Sequence, residues 1–357
     1  MNTFDMRNIL FIVTKSKNGG AQKWTKEQIE ICSKDFNVFL ATDENGWLSK
    51  NVKVKNKFLN NLILKRLSFI YLLKLNKFII DNNINLVVSS SANAGIYSRL
   101  IKLLNKKIKV IYVSHGWSSI YNGGKLTPLY VFIEKQLSKI SDSILCISKK
   151  DFENAQYIIG VDKSKLELIT NKIYPIKPIN KPIKINNIIR IVTVARLVAP
   201  KRIDLLIEAT KNLSNIELHI IGDGVLRKDL EKNNYKNVFF HGNIDSFDDY
   251  GSYDIFALIS DSEGVPLAAL EAMCCSMPII VSNVGGCSEL IDDNGFLVEN
   301  NVKSIADAIA LSISNLGLLG KKSKEIFDSR FNLELDKNIY LEYYNNILKK
   351  YKVKNNS

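Results

Sequence analysis

Short, continuously apolar runs separated by amphipathic stretches recur along this chain in two rounds. That alternation limits its fold more than any other feature. In the first round the apolar runs fall at residues 8–14, 36–42, 86–90, 110–114 and 143–147, with helical stretches at 21–34, 69–81, 94–105, 128–140 and 149–158. Strands that are apolar on both faces need cover on both faces, and helical crossovers supply it, so the pattern predicts a parallel sheet. Residues 174–187 then hold three of the seven prolines. Proline fixes φ and removes a backbone donor, so this stretch reads as an extended linker. A second round follows, with strands at 190–195, 217–221, 238–241, 255–259, 279–281 and 296–298. Helices are predicted at 203–212, 225–232, 266–275, 288–291 and 302–314, and a last helical stretch at 333–351 ends in a Lys/Asn-rich tail. We therefore expect an N-terminal Rossmann-like domain over 1–175, a second over 176–332, and a C-terminal helix and tail over 333–357. Sheets of this kind bind ligands at the carboxyl ends of their strands, so a cleft between the two halves is expected to hold the site.

The excess of 49 Lys+Arg over 36 Asp+Glu lies entirely in the first half. Residues 1–175 carry 27 basic and 13 acidic side chains, and 176–357 carry 22 and 23. Lys65, Arg66, Lys74 and Lys77 interleave with leucine, isoleucine and phenylalanine. Such a face suits an anionic membrane surface, an ordinary solvated surface or nucleic acid, and no nucleic-acid-binding motif supports the last. No uncharged apolar stretch reaches the roughly 18–20 residues of a membrane span, and the N-terminus does not read as a signal peptide. The expected location is the cytoplasm. The five cysteines show no C-x-x-C spacing and read as small buried hydrophobes, and His115, His219 and His241 are expected to cluster neither with each other nor with cysteines, so no zinc site is expected.

Several motifs stand where strands meet helices. Gly19-Gly20 could let backbone N–H groups approach an anion at a helix start, or could form a plain turn. His115-Gly116-Trp117 ends the strand at 110–114 and would face the ligand side, or serve as a structural histidine. Arg196, at the end of the first strand of the second round, and Lys201, near the next helix start, suit a diphosphate clamp, with a planar donor fork and a point charge. Gly222-Asp223-Gly224 is a weaker signal. Glu263-Gly264-Val265-Pro266 leads into a helix carrying Glu271. Its turn can aim N–H groups at a phosphate, while a carboxylate further in can accept from ribose hydroxyls. Val284-Gly285-Gly286 and Glu289 follow the next strand.

In order along nearly the whole chain, these motifs resemble the retaining nucleotide-sugar glycosyltransferases of family 4, which have the two-domain GT-B fold. Residues 260–298 carry the most specific part, an E-x7-E segment. The resemblance implies that Glu271 holds the ribose and that Glu263 contacts the donor sugar. Gly264, Val265, Pro266 and Leu267 would present backbone groups to sugar and phosphates. Arg196 and Lys201 would bind the diphosphate, with the Gly19-Gly20 loop beneath it. His115 would sit near the donor sugar, and Phe240 and His241 near the base. Two departures stand out: Asn171-Lys172-Ile173 where relatives have Asn-Gly-Val-Asp, and Ser276 where glycine is common. No D-x-D stands out in the site segments, so neither metal nor cofactor is expected, and a UDP-sugar enters as substrate. Residues 90–100, 112–126 and 258–272 are similar to bacterial O-antigen glycosyltransferases, some of which add α-N-acetylgalactosamine to sugars on undecaprenyl diphosphate. The implied partners are thus a nucleotide sugar, a lipid-linked saccharide acceptor and an anionic membrane surface, at the inner face of a bacterial plasma membrane. Three other readings are a UDP-sugar 2-epimerase of the same fold, an NAD-dependent oxidoreductase, and a non-catalytic basic membrane-surface or nucleic-acid binder.

Overall fold

Every ladder between the strands of this protein is parallel. The computed structural model describes residues 6–121, 124–176 and 188–349. Most of the proline-rich stretch, at 177–187, and the tail from 350 onward lie outside the described residues. The chain forms two units: Met1–Thr170 with Asp336–Ser357, and Asn171–Leu335. The sequence placed the division at 175/176 and kept 333–357 apart. In the structure the change-over comes at Thr170/Asn171, and the last helix belongs to the first unit.

The first unit holds a seven-stranded sheet. Its strands are β1 (Asn8–Ile12), β2 (Asn37–Thr42), β3 (Asn56–Leu59), β4 (Leu86–Ser89), β5 (Lys109–Ser114), β6 (Ser143–Cys146) and β7 (Leu166–Leu168), in the order β3-β2-β1-β4-β5-β6-β7. The second unit holds β8 (Ile189–Val194), β9 (Ile216–Ile221), β10 (Val238–Gly242), β11 (Ile255–Leu258), β12 (Ile279–Ser282) and β13 (Gly295–Val298), in the order β10-β9-β8-β11-β12-β13. Both orders reverse direction after the unit's first strand. The crevice outside the carboxyl ends therefore opens between β1 and β4 in one unit and between β8 and β11 in the other.

The strands are apolar throughout because both faces are covered. Leu10, Phe11 and Ile12 of β1 are fully buried. Leu10 and Ile12 face Tyr71, Leu75 and Tyr97, from helices α2 (Phe69–Asp81) and α3 (Ala92–Leu104). Phe11 points the other way, edge-on to Tyr344 at 6.3 Å. Tyr344 lies on the last described helix, α9 (Asn338–Lys349). It donates through Oη to Gln28 Oε1 at 2.8 Å, and Tyr343 Oη donates to Ser143 Oγ at 2.8 Å. In the second unit, α5 (Ile203–Thr210) and α7 (Val302–Ser314) cover one face through Leu206, Ile207, Ile305 and Ile309. Helices α6 (Leu267–Cys274) and α8 (Leu316–Ile326) cover the other through Leu270, Met273 and Ile326. All five cysteines are buried and unbridged. Among the described residues no single helix is long and apolar enough to cross a membrane.

The sequence reading omitted β3, β7 and α8, and it drew the stretch at 149–158 as one helix. That stretch begins as Lys149–Glu153 and widens into a π-helical turn at Asn154–Ile159. The helix read at 288–291 is a 3-10 turn spanning Gly285–Leu290. The stretch at 333–351 breaks between Leu333–Asp336 and α9.

Tyr344 is fully buried between β1 and α1 (Gly20–Cys32). Removing a buried aromatic leaves a cavity worth about 3–5 kcal/mol. Tyr344→Ala is expected to destabilise the first unit by that amount in urea unfolding, and a loss under about 1 kcal/mol would show that α9 is not part of its core.

Candidate active site

In the second unit, β8 ends at Val194 and its chain turns through Ala195, Arg196 and Leu197. Backbone hydrogen bonds hold this turn, and Leu197 is buried in the core beneath it. Ala195 N–H donates to Ile221 O at 3.0 Å and Leu197 N–H to Asp223 O at 2.9 Å. A Cβ on Gly222 would stand 1.8 Å from Ala195 O, and one on Gly224 would stand 2.3 Å from Leu197 O. Gly222 also has φ +142. The Gly222-Asp223-Gly224 motif is thus needed for close approach to the Arg196 turn. Arg196 itself is exposed, and among the described residues its side chain makes no ion pair or hydrogen bond.

Lys201 forms an isolated antiparallel bridge with Ser260, just past β11. Arg202 N–H donates to Ile259 O, and Asp261 N–H donates to Pro200 O, both at 2.9 Å. These bonds tie the loops after β8 and β11 across the switch point. They bring Lys201 Nζ onto Glu263 Oε1 in an ion pair, with the side chains 17% and 10% exposed. The cation assigned to the diphosphate and the carboxylate assigned to the sugar are therefore partners.

The loop that carries Glu263 is fixed from three sides. Gly285, at φ +54, lies so close that a Cβ would meet Glu263 O at 1.7 Å. Asn171 Nδ2 donates to Val265 O at 3.2 Å. Asn300 Nδ2 donates to Ser260 O at 3.0 Å and to Asp261 Oδ1 at 2.8 Å, and Asn300 Oδ1 accepts from Ser282. Pro266 then caps α6, whose first N–H groups have no partner inside the helix. Gly264, Val265, Pro266 and Leu267 therefore form the approach to a helix start. Ser276, beyond the far end of α6, takes φ +59, which accounts for glycine being common there. Glu271 is buried one turn into α6 and accepts from Tyr250 Oη at 2.6 Å. Burial and the adjacent carboxylate hold the Tyr250 phenol well above its usual pKa, so it remains a donor.

Phe240 and His241 diverge. Phe240 packs into the apolar layer with Leu218 and Ile220. His241 turns to the opposite face and stacks on His219, with its Nε2 2.9 Å from His219 Nδ1. These two histidines do meet, contrary to the expectation that the histidines stay apart, because the β9–β10 register brings them side by side. Gly242 continues to the strand's carboxyl end, where its carbonyl accepts from Gly222 N–H at 2.7 Å.

In the first unit, Gly19 precedes α1 with extended backbone, and Gly20 has nothing within 4 Å of a built Cβ. A Cβ on Gly19 would meet only the Gln22 side chain, its oxygen at 2.7 Å, and no backbone. His115 follows β5, the fifth strand rather than the fourth, because β3 precedes it. Its ring stands edge-on to Trp24 of α1 at 5.2 Å, and Trp24 stands edge-on to Tyr340 of α9 at 6.2 Å. Asp151 accepts from Gly116 N–H at 3.0 Å and from Trp117 Nε1, through its own carbonyl, at 2.8 Å, which fixes the turn after His115. His115 Nε2 is buried and has no partner among the described residues. Burial pushes its pKa down to about 4, so the ring is neutral at pH 7.

Residues 19–174 match the model of Glycosyltransferase Family 4, and residues 189–315 match that of Glycosyl transferases group 1. Over 304 residues the chain is 42% identical to the O-antigen biosynthesis glycosyltransferase WbnH of Escherichia coli, covering 84% of this chain and 88% of that protein. The chain belongs to glycosyltransferase family 4. It is also 26% identical over 351 residues to the UDP-Gal:alpha-D-GlcNAc-diphosphoundecaprenol alpha-1,3-galactosyltransferase of Escherichia coli, covering 88% and 90% of the two chains. Among solved structures, HepE of Anabaena in complex with UDP and glucose superposes with a TM-score of 0.79 at 17% identity, covering 94% of this chain and 99% of that one. That likeness makes the fold GT-B.

For this family 4 glycosyltransferase, sequence reading missed Tyr250, Asn300, Gly285 as a close-approach residue, and Asn171 as more than a departure from pattern. All four act on the backbone or carboxylate of a motif residue, and no spacing along the chain marks such contacts. Among the described residues no group of three or more His, Cys, Asp or Glu is arranged to hold a metal ion.

Two outcomes check this geometry. In an NMR titration the His115 ring is expected to keep its neutral form down to about pH 5, with a midpoint near 4. A midpoint between 6 and 7 would show that the ring is solvated. Because the folded state disfavours this proton, His115 contributes stability above the unfolded pKa of about 6.5 that is lost as pH falls toward 4. Tyr250→Phe removes a buried donor to Glu271. It should cost about 1–3 kcal/mol of stability and raise the donor KM more than it lowers kcat, whereas an unchanged KM would separate Glu271 from donor binding.

Proposed function

We propose that this glycosyltransferase moves N-acetylgalactosamine, with retention, from its UDP-sugar to a saccharide linked to undecaprenyl diphosphate in O-antigen or capsular polysaccharide synthesis, at the inner face of a bacterial plasma membrane. The observation that carries this reading is the 42% identity with an O-antigen enzyme across both units. A second relative, whose printed acceptor is a diphosphoundecaprenol-linked sugar, supports the lipid-linked acceptor. The basic first half suits an anionic membrane surface as a further partner, and nucleic acid is not part of the reading.

The chemistry follows from the loops at the β8/β11 switch point. Breaking the bond at the anomeric carbon builds negative charge on the departing diphosphate. Arg196 offers an unpaired planar donor fork to that charge, and Lys201 keeps ammonium donors beyond the one that Glu263 takes. N–H groups at the start of α6 add fixed donors. Glu263, held by Gly285 and Lys201, would accept from donor-sugar hydroxyls, and Glu271 from the ribose. The neutral His115 ring would hydrogen-bond to the donor sugar and add no charge. The Gly19-Gly20 loop of the first unit would offer open backbone N–H groups to an anion. The base would lie by the backbone at Gly242. In a retaining displacement the acceptor hydroxyl attacks from the face that the phosphate leaves, and a phosphate oxygen takes its proton. No metal enters this reading.

The test is UDP release from a panel of UDP-sugars, with and without a synthetic N-acetylhexosaminyl-diphospho-lipid. Acceptor-dependent release with UDP-N-acetylgalactosamine alone, yielding an α-linked product, is the expected result. Release with a different donor would change the sugar, a β-linked product would overturn retention, and an epimerised donor without transfer would make the protein an epimerase. Arg196→Ala should lower transfer by two orders of magnitude or more with the fold intact, and near-normal turnover would remove Arg196 from the diphosphate site.

A further inference from the structure

We infer that the first unit carries a built lipid-docking face, made by the loop before α2, the outer side of α2 and the outer side of α4 (Thr127–Ile140), and that its occupant is the surface of an anionic bilayer. This rests on the lipid-linked acceptor proposed above and goes further, in assigning attachment to named apolar side chains rather than to net charge.

Helix α2 is apolar on more than one side. Tyr71, Leu72, Leu75 and Ile79 are buried against the sheet, as one stripe of a surface helix should be. Yet Leu67, Phe69 and Ile70 stand out of the protein, 65%, 68% and 59% exposed, with Leu73 beside them. Helix α4 repeats the arrangement with Leu129 and Phe132. The two sets are joined. Arg66, from the loop before α2, donates through Nη1 to Tyr130 Oη of α4 at 3.2 Å, and its guanidinium lies 5.5 Å over that ring. Singly exposed leucines are ordinary, but this many large apolar side chains on one tied pair of helices mark an interaction surface.

Charge decides what the surface meets. Over residues 45–133 there are 14 Lys and Arg and a single acidic residue, Asp81. Lys65, Lys74, Lys77 and Lys125 are all exposed around the apolar set. Lys74 follows Ile70 by one helical turn and Lys77 follows Leu73 by one, so these lysines share a side of α2 with the exposed apolar residues, and Lys77 also pairs with Asp81 at 3.2 Å. A long basic side chain can lay its stem along an apolar surface and keep its charge at the headgroups. Phe, Leu and Ile flanked by Lys is the composition of a face that sinks shallowly into an anionic interface. A folded protein partner would need a matching apolar surface ringed by carboxylates, and nucleic acid would leave Phe69, Ile70 and Phe132 in water.

The test uses the full chain in co-sedimentation with phosphatidylglycerol/phosphatidylethanolamine vesicles and with phosphatidylcholine vesicles. Two triple variants are compared, L67S/F69S/I70S and K65Q/K74Q/K77Q, each checked for folding by circular dichroism and for transfer to a short-chain, water-soluble acceptor. The wild type is expected to bind the anionic vesicles at least tenfold more tightly than the neutral ones. Each triple variant should weaken that binding tenfold or more while leaving transfer to the soluble acceptor unchanged. High salt should weaken the wild type and the apolar variant but add little to the lysine variant. Undiminished binding by the apolar variant would overturn the inference, as would equal binding to neutral vesicles or no vesicle binding at all. Its failure is distinct from that of the proposed reaction: transfer to the soluble acceptor without vesicle binding sinks only the docking face, and vesicle binding without transfer to any acceptor sinks only the reaction.

Discussion

The Lys201–Glu263 ion pair exists because the loops leaving β8 and β11 are stitched together across the reversal of strand order. Most of what the second unit offers chemically depends on that stitch. An ammonium and a carboxylate this far out of water hold each other in place, and removing either partner leaves an uncompensated charge. Their pairing holds the Glu263 carboxylate in one place. It also keeps Lys201 near the point where the diphosphate of a nucleotide sugar would add negative charge. In the proposed site a phosphate would share the Lys201 ammonium with Glu263, so donor binding would also act on the setting of Glu263. Arg196, which has no carboxylate partner among the described residues, would supply a cation that is not shared.

Close backbone approach places these groups more than side-chain packing does. Gly222 and Gly224 lie against the carbonyls of Ala195 and Leu197, and Gly285 against that of Glu263. A Cβ at any of the three would push a carbonyl away by more than an ångström, moving Arg196 or Glu263 with it. This gives the weak G-x-G and the Gly285-Gly286 pair a common physical reason. They let strand-end loops pack directly on one another, as a site built from loops at the carboxyl edge of a parallel sheet requires.

The central strands and the charged motif residues were legible in the sequence because both leave local marks. A strand covered on two faces is apolar at every position, and a loop that binds anions is written in Gly, Pro, Arg and Lys. What was not legible depends on contacts between distant residues. The edge strand β3 reads Asn-Lys-Phe-Leu with both ends exposed, so it has no continuous apolar run. Helix α8 begins Leu-Gly-Leu-Leu-Gly, which local propensity disfavours. Gly320 is there because a Cβ would meet the carbonyl of Ser276 at 2.4 Å, and Ser276 is 44 positions earlier. The Tyr250–Glu271 bond joins a 3-10 turn to a helix across 21 residues, and His219 meets His241 only through strand register.

The last helix shows how far such non-local dependence reaches. Its residues follow the second unit in sequence but complete the first, where Tyr344 covers Phe11 of the opening strand. One turn earlier, Tyr340 stands against Trp24, and Trp24 against His115. The indole is fully buried and the tyrosine nearly so, so neither can shift without opening a void. From the other side, the Asp151 carboxylate holds Gly116. The imidazole thus sits against an aromatic series that begins near the end of the chain, and an aspartate from the chain's middle holds the turn that follows it. Burial there also disfavours the charged ring. A histidine held this way takes up no proton near neutral pH, which is consistent with the positioning role proposed for it.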